Sequence, residues 1–378
     1  MALFTRAPDM STPTPLLITG ASGQIGRWLL HALLQLAPGQ PLALALRDPL
    51  VQLESLRQWL SARGISMARQ AGLTAHPYRL EDAAAAQALV RDLRPHTLLH
   101  LAARFEWGLD AGEARRAQLQ ATQALWEAQT DPLGHSGRFV AVGGYMTQHR
   151  PQLDKLGIRA EGPVDWRRIY RRIGGYEASK LETQVHMSAL ARRLGRPWLC
   201  VHPATVCGHS VEGELPAHAA LHALCRQLIR GRLQALPGSP RHQLPLVSVD
   251  QVAGFLAHLA LDPQVRSGDF LLMDPASPPL HSLIRTLATA LDVKAPRWAL
   301  PVALMQGLLR LPGVSAWSGA SAEGLDFLIE DPAFDTRPAQ ALSQRWGVRA
   351  APLAQALAAT ARFVAQDIGH PPTQRSTA

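Results

Sequence analysis

The sequence holds few of the residues that build metal centres or disulfide frameworks. Only three of its 378 residues are cysteines, Cys200, Cys207 and Cys225, and their spacing is typical of neither. The 15 histidines form no His-Glu-x-x-His element or other known ligand pattern, so we expect no metal site. A chain that does not rely on disulfides suits a reducing compartment, and we expect a cytoplasmic location.

Long hydrophobic runs are scarce as well. The longest one towards the C-terminus, Trp298 to Leu309, is too short to cross a bilayer and contains Pro301. We interpret it as a helix of a substrate-binding region and expect no stable membrane insertion. Residues 1–14 lack the apolar core of a signal peptide, and we expect this segment and residues 367–378 to be flexible tails.

Acidic residues are outnumbered by basic ones, 29 against 38, which gives a formal net charge of +9. The arginines are scattered, with local pairs at Arg167-Arg168 and Arg171-Arg172, and no helix-turn-helix, zinc-finger or RNA-binding signature accompanies them. We therefore expect no nucleic-acid partner, and attribute to the positive charge at most an attraction for anionic small molecules such as cofactor phosphates. An apolar fraction of 47% with 18% charged residues is typical of a globular enzyme.

One segment near the start carries a specific signal, glycines that follow a short apolar strand and open a helix. The strand is Leu16 to Thr19, and Gly20, Gly23 and Gly26 follow it at intervals of three. Gly20 allows a tight turn, Gly23 lets a pyrophosphate approach the backbone, and Gly26 lets helix and strand pack closely. Amides at the start of the helix then face the phosphates, helped by the helix dipole. The sequence therefore predicts a dinucleotide site lined by Gly20, Ser22, Gly23, Gln24, Ile25 and Gly26.

Apolar strand patterns alternate with helical patterns through the first half of the chain, which is typical of a parallel sheet with helices on both faces. Strands are predicted at Leu16–Thr19, Leu42–Leu46, Thr74–Tyr78, Thr97–Leu101, Phe139–Val142 and Trp198–His202. Helices are predicted at Gln24–Leu36, Leu50–Ala62, Asp82–Leu93, Ala111–Gln129 and Gly175–Leu194. The stretch from Thr147 to Arg172, rich in proline, glycine and arginine, is predicted to be a loop at the active site.

A tyrosine and a lysine four residues apart, Tyr176 and Lys180, stand in the last of these helices. On a helix this spacing puts both side chains on one face, about one turn apart. A lysine cation stabilises a neighbouring phenolate and so helps a phenol to exchange its proton near neutral pH. Tyr176 is thus a candidate proton donor to a carbonyl, or base towards an alcohol, and Lys180 is a candidate ligand of the nicotinamide ribose.

With these two motifs the chain resembles the extended short-chain dehydrogenase/reductase family, and within it the thioester-reductase-like and fatty-acyl-reductase-like branch. The resemblance extends over roughly Pro15 to Ala365. It implies an α/β fold, namely a Rossmann doubly wound parallel sheet with a smaller, mostly helical substrate-binding region. It also implies that Tyr176 and Lys180 are catalytic.

The end of the second predicted strand, Arg47-Asp48, bears on the choice of cofactor. An acidic residue there favours the ribose of NAD, whereas a guanidinium suits the 2′-phosphate of NADP. Arg47 occupies the position that the family uses for this choice, so the resemblance implies NADP(H), with NAD less favoured. Further cofactor contacts are implied for the element that starts at His100 and for the proline turn after the sixth strand. The residues concerned are Leu101, Ala102, Ala103, Pro203, Ala204 and Val206.

The segment after the fifth predicted strand departs from the family pattern. It places glycines, Gly143 and Gly144, where family members carry a serine or threonine that binds the substrate oxygen. Thr147 is the nearest hydroxyl and a candidate substitute, with Tyr145 as a second. Because a lost oxyanion donor costs about 10²–10³ in rate, catalysis is expected to be slow, differently arranged or lost.

Two further positions differ from the family. Arg79 stands where an aspartate usually lies near the adenine, and Gln118 replaces an asparagine that often completes the proton relay. Both changes leave the glycine motif and the Tyr176–Lys180 pair intact.

The chain is expected to divide into two interleaved parts. The NAD(P)-binding part comprises residues 15–204, 244–274 and about 332–366, and the substrate-binding region comprises residues 205–243 and 275–331. The second part is mostly apolar, with Trp298, Trp317 and Phe327, and shows no polar cluster suited to a sugar nucleotide. A hydrophobic or acyl substrate is therefore favoured, although apolar helices equally form ordinary cores and dimer interfaces.

Two classes of function fit these residues. The first is an NADP(H)-dependent oxidoreductase that transfers a hydride to or from a ketone, aldehyde or acyl thioester, with Tyr176 as acid or base and Thr147 binding the substrate. Epimerases and dehydratases use the same scaffold and stay an alternative. The second class is an NADP-binding redox sensor without turnover, which the two glycines favour and the retained Tyr176 and Lys180 oppose. A homodimer is compatible with either.

Overall fold

The computed structural model describes residues 14–104, 109–131, 137–159, 162–311, 325, 328–330 and 334–369. Its strands, in chain order, are β1 (Leu16–Thr19), β2 (Leu42–Leu46), β3 (Leu73–Pro77), β4 (Thr97–His100), β5 (Arg138–Val142), β6 (Leu199–Pro203), β7 (Thr205–Cys207), β8 (Ala235–Pro237), β9 (Leu246–Ser248), β10 (Gly268–Leu272) and β11 (Trp298–Leu300). The strands β1, β2 and β4 are buried throughout, as expected where helices cover both faces of a parallel sheet.

Seven of these strands form one sheet in the order β10-β6-β5-β4-β1-β2-β3, and every neighbouring pair in it is parallel. The strand order reverses between β1 and β4. Two short parallel ladders, β7 with β9 and β8 with β11, lie outside the sheet. The Rossmann doubly wound parallel sheet predicted from the sequence is confirmed. Ligands of such sheets bind at the carboxyl ends of the strands, where the order reverses.

Helices lie on both faces of this sheet. In chain order they are α1 (Gln24–Leu36), α2 (Pro49–Ser61), α3 (Met67–Gln70), α4 (Ala83–Leu93), α5 (Ala111–Arg115), α6 (Ala121–Gln129), α7 (Arg150–Lys155), α8 (Trp166–Ile173), α9 (Gly175–Leu194), α10 (Ala220–Ile229), α11 (Val249–Leu261), α12 (Leu280–Ala290), α13 (Val302–Leu309), α14 (Arg337–Arg345) and α15 (Leu353–Asp367). Residues of α1 and α11 pack with Leu16 and Ile18 of β1, whereas α4, α6 and α9 pack with Leu17. Alternate residues of a strand point to opposite faces, which explains this division.

The bounds predicted for the first six strands and for the helices between them agree with the structure to within about one residue. The helix predicted between β4 and β5 contains a π-helical turn, Arg116–Gln120. The loop predicted from Thr147 to Arg172 is wrong, because this stretch contains α7 and most of α8. Proline is accepted in the first turn of α7, and the Asp165 carboxylate caps α8 by accepting from the Arg168 amide. The proline, glycine and arginine content favoured a loop and gave no indication of these two short helices.

A second core lies outside the sheet and joins α10, α12 and α15, with Leu221, Leu283 and Leu357 among its buried residues. The sequence placed residues 332–366 in the NAD(P)-binding part, but the structure divides this stretch. Ala339 of α14 packs in the core of the sheet, whereas α15 packs in the second core with α10 and α12. Helical periodicity shows that α15 is buried and does not show which partner covers it.

Only some of the residues named for the substrate-binding region and the terminal segments lie within the described part of the chain. Trp317, Phe327, residues 1–13 and residues 370–378 lie outside the described residues. Trp298 lies in β11 and has 79% of its surface exposed, so it lines no core. Within the described part of the chain, no helix combines the length and the apolar character needed to cross a membrane.

Candidate active site

The three glycines of the motif have different surroundings at the carboxyl end of β1. Gly20 has φ +73°, and a Cβ there would lie 2.6 Å from the amide nitrogen of Ala102. A Cβ on Gly26 would overlap the carbonyl oxygen of Gly20. The side-chain position of Gly23 meets only that carbonyl oxygen, at 3.3 Å, and otherwise faces open space. Two glycines thus permit close packing, and the third leaves room for a ligand.

The side chains of the residues next to Gly23 form hydrogen bonds or pack within the protein. The Gln24 amide nitrogen donates to the carbonyl oxygen of Cys207 at 3.2 Å, and the Ser22 hydroxyl accepts from Gln52 at 3.1 Å. Ile25 is half-buried against the core. No side chain among the described residues caps the start of α1. Its first backbone amides have no partner within the helix and can therefore bind an anionic ligand. The side chains of Ser22, Gln24 and Ile25 thus all have partners within the protein.

At the end of β2 the two residues that bear on the cofactor have separate roles. Arg47 is exposed. The carboxylate of Asp48 caps α2 by accepting from the amide of Val51 at 3.2 Å. The acidic side chain is thus engaged in the helix, while the guanidinium is accessible to a phosphate.

A buried network fixes the end of β4. The His100 ring lies with Nδ1 2.8 Å from the Thr19 hydroxyl and Nε2 3.1 Å from that of Thr122. Thr19 Oγ1 also accepts from the amide of Ala102 at 3.2 Å. Burial lowers the pKa of His100 to about 4, so the ring is neutral near pH 7. His100 is a structural residue that holds the Leu101–Ala103 segment against β1.

Tyr176 and Lys180 lie in the first two turns of α9. The Lys180 ammonium lies 4.6 Å from the centroid of the Tyr176 ring and hydrogen-bonds its side chain. It also approaches the carbonyl oxygen of Gly143, at 3.5 Å. Burial disfavours the charged lysine, but the neighbouring Tyr176 and Glu177 outweigh it and raise the pKa of Lys180. The site therefore holds a cation beside the phenol.

The two glycines after β5 are not equivalent. A Cβ on Gly144 would meet only Lys180, with Nζ 3.8 Å away, so a side chain there would face the lysine. A Cβ on Gly143 would lie 2.6 Å from Nδ1 of His202, whose ring fills that space. Position 144 therefore has room for a side chain, whereas position 143 does not.

The two hydroxyls considered as substitutes are both engaged within the protein. Thr147 is buried, donates to the carbonyl oxygen of Gly144 at 2.7 Å, and has its Oγ1 2.8 Å from His202 Nδ1. Tyr145 is buried, which raises the pKa of its phenol, and its hydroxyl bonds the side chain of Thr205. The role predicted for Thr147 would require this loop to rearrange.

Sequence reasoning missed a polar cluster beneath this loop. His202 Nε2 lies 3.0 Å from the Asp269 carboxylate, and Cys200 Sγ lies 3.9 Å from Nδ1. The potential ligand atoms of these three residues all lie within 4.8 Å of one another. Burial raises the pKa of the Cys200 thiol, so the thiol is protonated near neutral pH. Cys200 and His202 lie two residues apart on β6 and therefore on the same face of the strand. Asp269 lies beside them only because β10 pairs with β6.

A small cavity lies behind Lys180, with space for about one water molecule. Its walls include the side chains of His100, Gln118, Thr122, Lys180, Thr183 and Cys200. Gln118 lies within the π-helical turn, a distortion that is frequent at functional sites. The replacement of the family asparagine by Gln118 thus occurs at a distorted turn that borders the lysine.

The remaining predicted residues lie at and just after the end of β6. Pro203 and Ala204 are buried at the end of β6, and the Ala204 amide donates to Leu272 at 2.8 Å. Val206 in β7 is half-buried and packs against the core. The fold therefore brings the glycine motif, the end of β4 and the start of α9 to the carboxyl edge of the sheet, where such folds bind dinucleotides.

Comparison with known proteins agrees with this geometry. The sequence matches the NAD dependent epimerase/dehydratase family over residues 16–270. No curated protein matches it. Many solved structures share the fold, and three serve as examples. The terminal R domain from the myxalamid PKS-NRPS biosynthetic pathway has a TM-score of 0.74 at 16% identity, covering 95% of this chain and 92% of that one. The PhqB reductase domain from Penicillium fellutanum has 0.63 at 14%, covering 95% of each chain. The UDP-glucuronic acid 4-epimerase from Bacillus cereus in complex with NAD has 0.62 at 15%, covering 93% and 99%.

Proposed function

Because the chain belongs to the NAD dependent epimerase/dehydratase family of extended short-chain dehydrogenases/reductases, we propose that it is an NADP(H)-dependent oxidoreductase. Its substrate would be a ketone, aldehyde or acyl thioester with a hydrophobic body, or the corresponding alcohol. The observation that carries the proposal is the contact of Tyr176 with a cationic Lys180 beside the open position of Gly144. A protein that only bound the dinucleotide would not need a lysine cation held against a tyrosine ring.

The residues at the carboxyl edge fit a nicotinamide dinucleotide. The uncapped amides of α1 and the open position of Gly23 would take its diphosphate, and Arg47 would pair with a 2′-phosphate. Lys180 would bind the ribose, while Ala102, Ala103 and the Pro203–Val206 turn would lie along its length. When bound, the cofactor supplies or accepts the hydride.

The proton is the part of the reaction that this chain's own residues supply. In reduction, the Tyr176 hydroxyl donates its proton to the substrate oxygen as that oxygen gains negative charge. Lys180 stabilises the phenolate that remains, because its ammonium lies against the ring. Thr147 is proposed as a second donor to the substrate only if its loop turns the hydroxyl away from Gly144.

The direction and substrate class are supported by the neighbours and by composition. Two of the compared structures are reductase domains, one from a PKS-NRPS pathway, which favours reduction and an acyl substrate. An epimerase stays an alternative, since one compared structure is a UDP-glucuronic acid 4-epimerase. A redox sensor without turnover is favoured by a separate observation, the absence of any side chain at Gly143 and Gly144.

The proposal is tested by NADPH oxidation against ketones, aldehydes and acyl-CoA thioesters. Tyr176→Phe is expected to lower kcat by about 10²–10⁴ because the general acid is lost, with the affinity for NADPH nearly unchanged. Lys180→Met should lower both kcat and the affinity for NADPH. Calorimetric titration with NADPH provides the binding control.

Full activity of Tyr176→Phe would remove the phenol from the mechanism. Tight NADPH binding by the wild type without turnover of any carbonyl would favour the sensor instead. If NADPH does not bind at all, the whole proposal fails.

A further inference from the structure

We propose that His202 is a positioning residue of the proposed reaction. Through the hydroxyl of Thr147 it holds Gly144 beside Lys180, and Asp269 fixes the orientation of its ring. This role rests on the proposed function, which needs Lys180 in place both for the cofactor ribose and for the phenol.

The loop after β5 forms one wall of the space around Lys180. The ammonium lies 3.5 Å from the carbonyl oxygen of Gly143, and the open side-chain position of Gly144 lies 3.8 Å from the same nitrogen. The small cavity behind Lys180 is also bordered by Gly143, together with Gln184 and Cys200. A movement of this loop would therefore remove an acceptor from the lysine and change the space beside it.

A threonine and a histidine hold the loop in this place. The Thr147 hydroxyl donates to the carbonyl oxygen of Gly144 at 2.7 Å and lies 2.8 Å from Nδ1 of His202. The ring of His202 also fills the space beside Gly143. Because His202 belongs to β6, within the sheet, a rigid element fixes the position of the loop.

The hydrogens on these groups determine the direction of each bond. A hydroxyl has one hydrogen, and Thr147 places it on the Gly144 oxygen, so the ring donates in the contact with Nδ1. A carboxylate only accepts, so Nε2 also carries a hydrogen in its 3.0 Å contact with Asp269. The Gln148 amide, 3.1 Å from Nε2, then presents its oxygen. All of these contacts are hydrogen bonds when both nitrogens of His202 carry hydrogen.

Asp269 connects this network to the helix that bears Lys180. Its Oδ1 accepts from the Gln184 amide at 2.7 Å and from His202 at 3.0 Å. Gln184 follows Lys180 by four residues and so lies about one turn further along the same face of α9. The side chain of Asp269 is 40% exposed, whereas that of His202 is fully buried. Hydrogen bonds thus join the loop after β5 to the helix of Lys180 through the buried ring.

A second histidine–aspartate pair provides a matched comparison. In the second core, His222 lies with Nε2 3.0 Å from the Asp367 carboxylate, and its side chain is buried like that of His202. Its Nδ1 has no hydrogen-bond partner among the described residues. This pair joins α10 to α15 and holds no hydroxyl, so it contributes a buried contact without a connection to Lys180.

Titration calorimetry with NADPH is the main test, because it needs no substrate. Thr147→Val removes the hydroxyl with little change of shape, whereas Thr147→Ser keeps it. We expect Thr147→Val to lower the affinity for NADPH about tenfold, since Lys180 is displaced, and Thr147→Ser to bind as the wild type does. A threonine that served only as a donor to the substrate would leave NADPH binding unchanged in both variants.

The ring is tested by variants that each keep a donor near one of its two nitrogens. An asparagine amide can place a donor near the position of Nδ1, and a glutamine amide can reach that of Nε2. We expect His202→Gln to lower both the affinity for NADPH and kcat about tenfold, and His202→Asn to retain most of both. His222→Gln is the control and should bind NADPH as the wild type does.

Nitrogen-15 NMR of the histidine-labelled protein tests the hydrogens on the ring without cofactor or substrate. We expect hydrogen on both nitrogens of His202, whose signals are assigned as those missing from His202→Asn. Asp269→Asn removes the opposite charge, so we expect Nδ1 to lose its hydrogen and NADPH affinity to fall as in His202→Gln.

Unchanged NADPH affinity in both Thr147→Val and His202→Gln would overturn the proposal, as would an Nδ1 without hydrogen in the wild type. Loss of kcat with full NADPH affinity would also overturn it, because these residues would then act in proton transfer rather than on Lys180. If the expected affinities are found but no carbonyl is turned over, the catalytic proposal fails and the role of His202 stands. If NADPH does not bind at all, the proposed function fails, and the nitrogen-15 spectrum still tests His202.

Discussion

At the scale of single residues, the side-chain position of Gly144 is open towards Lys180, whereas that of Gly143 is filled by the ring of His202. We expect Gly144→Ser to fold normally and to raise kcat up to about tenfold, because it restores a hydroxyl beside the acid. Gly143→Ser is expected to destabilise the protein by about 1–3 kcal/mol through overpacking. Calorimetric melting and NADPH oxidation measure the two effects. Equal tolerance of both substitutions would contradict the difference between the two positions.

The proposed preference for NADP rests on a single exposed cation, Arg47. Arg47→Ala should weaken NADPH binding by about 10- to 100-fold and leave NADH unchanged, since only NADPH has a 2′-phosphate to pair with the guanidinium. Titration calorimetry with both cofactors measures this. Arg91→Ala, at an exposed arginine in the last turn of α4, is the matched control. If Arg47→Ala weakens both cofactors equally, Arg47 does not read the 2′-phosphate.

Some site residues were accessible from the sequence and others were not. The Tyr176–Lys180 pair depends only on spacing within one helix, so the prediction that they share a face is confirmed by their contact. His202 and Asp269 meet through the pairing of β6 with β10, and β10 had not been predicted. That Thr147 is engaged with Gly144 and His202 could not be foreseen either, because it depends on how the loop folds back onto β6.

At the scale of elements, Arg138 links the start of β5 to the end of α11. Its buried guanidinium donates to the carbonyl oxygens of Leu259, Ala260 and Val265 at 2.6, 3.1 and 3.1 Å. Burial lowers the pKa of Arg138 to about 10, so the guanidinium stays charged near neutral pH. A positive charge at the end of α11 stabilises the helix, because the C-terminal end of the helix dipole is negative.

Arg138→Met should therefore lower the free energy of unfolding by about 2–4 kcal/mol, because three carbonyl groups lose their donor. Urea unfolding measures this. The exposed loop residue Arg349, replaced in Arg349→Met, serves as the control and should cost less than about 0.5 kcal/mol. A cost for Arg138→Met no larger than the control would mean that α11 ends without help from the guanidinium.

The elements also show how far sequence patterns reach. Glycine spacing and apolar runs predicted the strands and helices of the sheet closely, because each signal is local and the buried strands are strongly apolar. Helices α7 and α8 were not predicted, because both are short. In α8, four of the eight residues are arginines and only Ile169 is buried, so the helix lacks an apolar periodicity.

At the scale of the whole molecule, stability should fall in mild acid. Burial lowers the pKa of His100 to about 4, and it also lowers the pKa of His31, His76, His96, His209 and His258. The unfolded chain, with histidines near pKa 6.5, then binds more protons than the folded one between about pH 6.5 and 4. The stabilisation is complete above pH 6.5 and is lost as the pH falls through this window.

His100 alone should account for about 2 kcal/mol of the loss between pH 7 and pH 5. Urea unfolding at these two pH values measures it, with His100→Gln compared with wild type and with the exposed His186→Gln as control. A pH dependence of His100→Gln equal to that of the wild type would show that the ring does not stay neutral.

The division into two parts was only partly predictable at this scale. The sequence separates a sheet-forming half from an apolar remainder, and the resemblance to the family is confirmed by its match over residues 16–270. Which core receives α15 depends on long-range packing, and α15 packs in the second core with α10 and α12.

The position of α15 also orders events during synthesis. The backbone of Ala359 fills the side-chain position of Gly213, and the Thr360 hydroxyl accepts from the amide of Gly208 at 3.0 Å. A nascent chain has made all seven strands of the sheet before α15 is synthesised, but the second core stays incomplete until α15 has left the ribosome. A product that stopped before residue 353 would keep every strand of the sheet and would lack the helix that completes the second core.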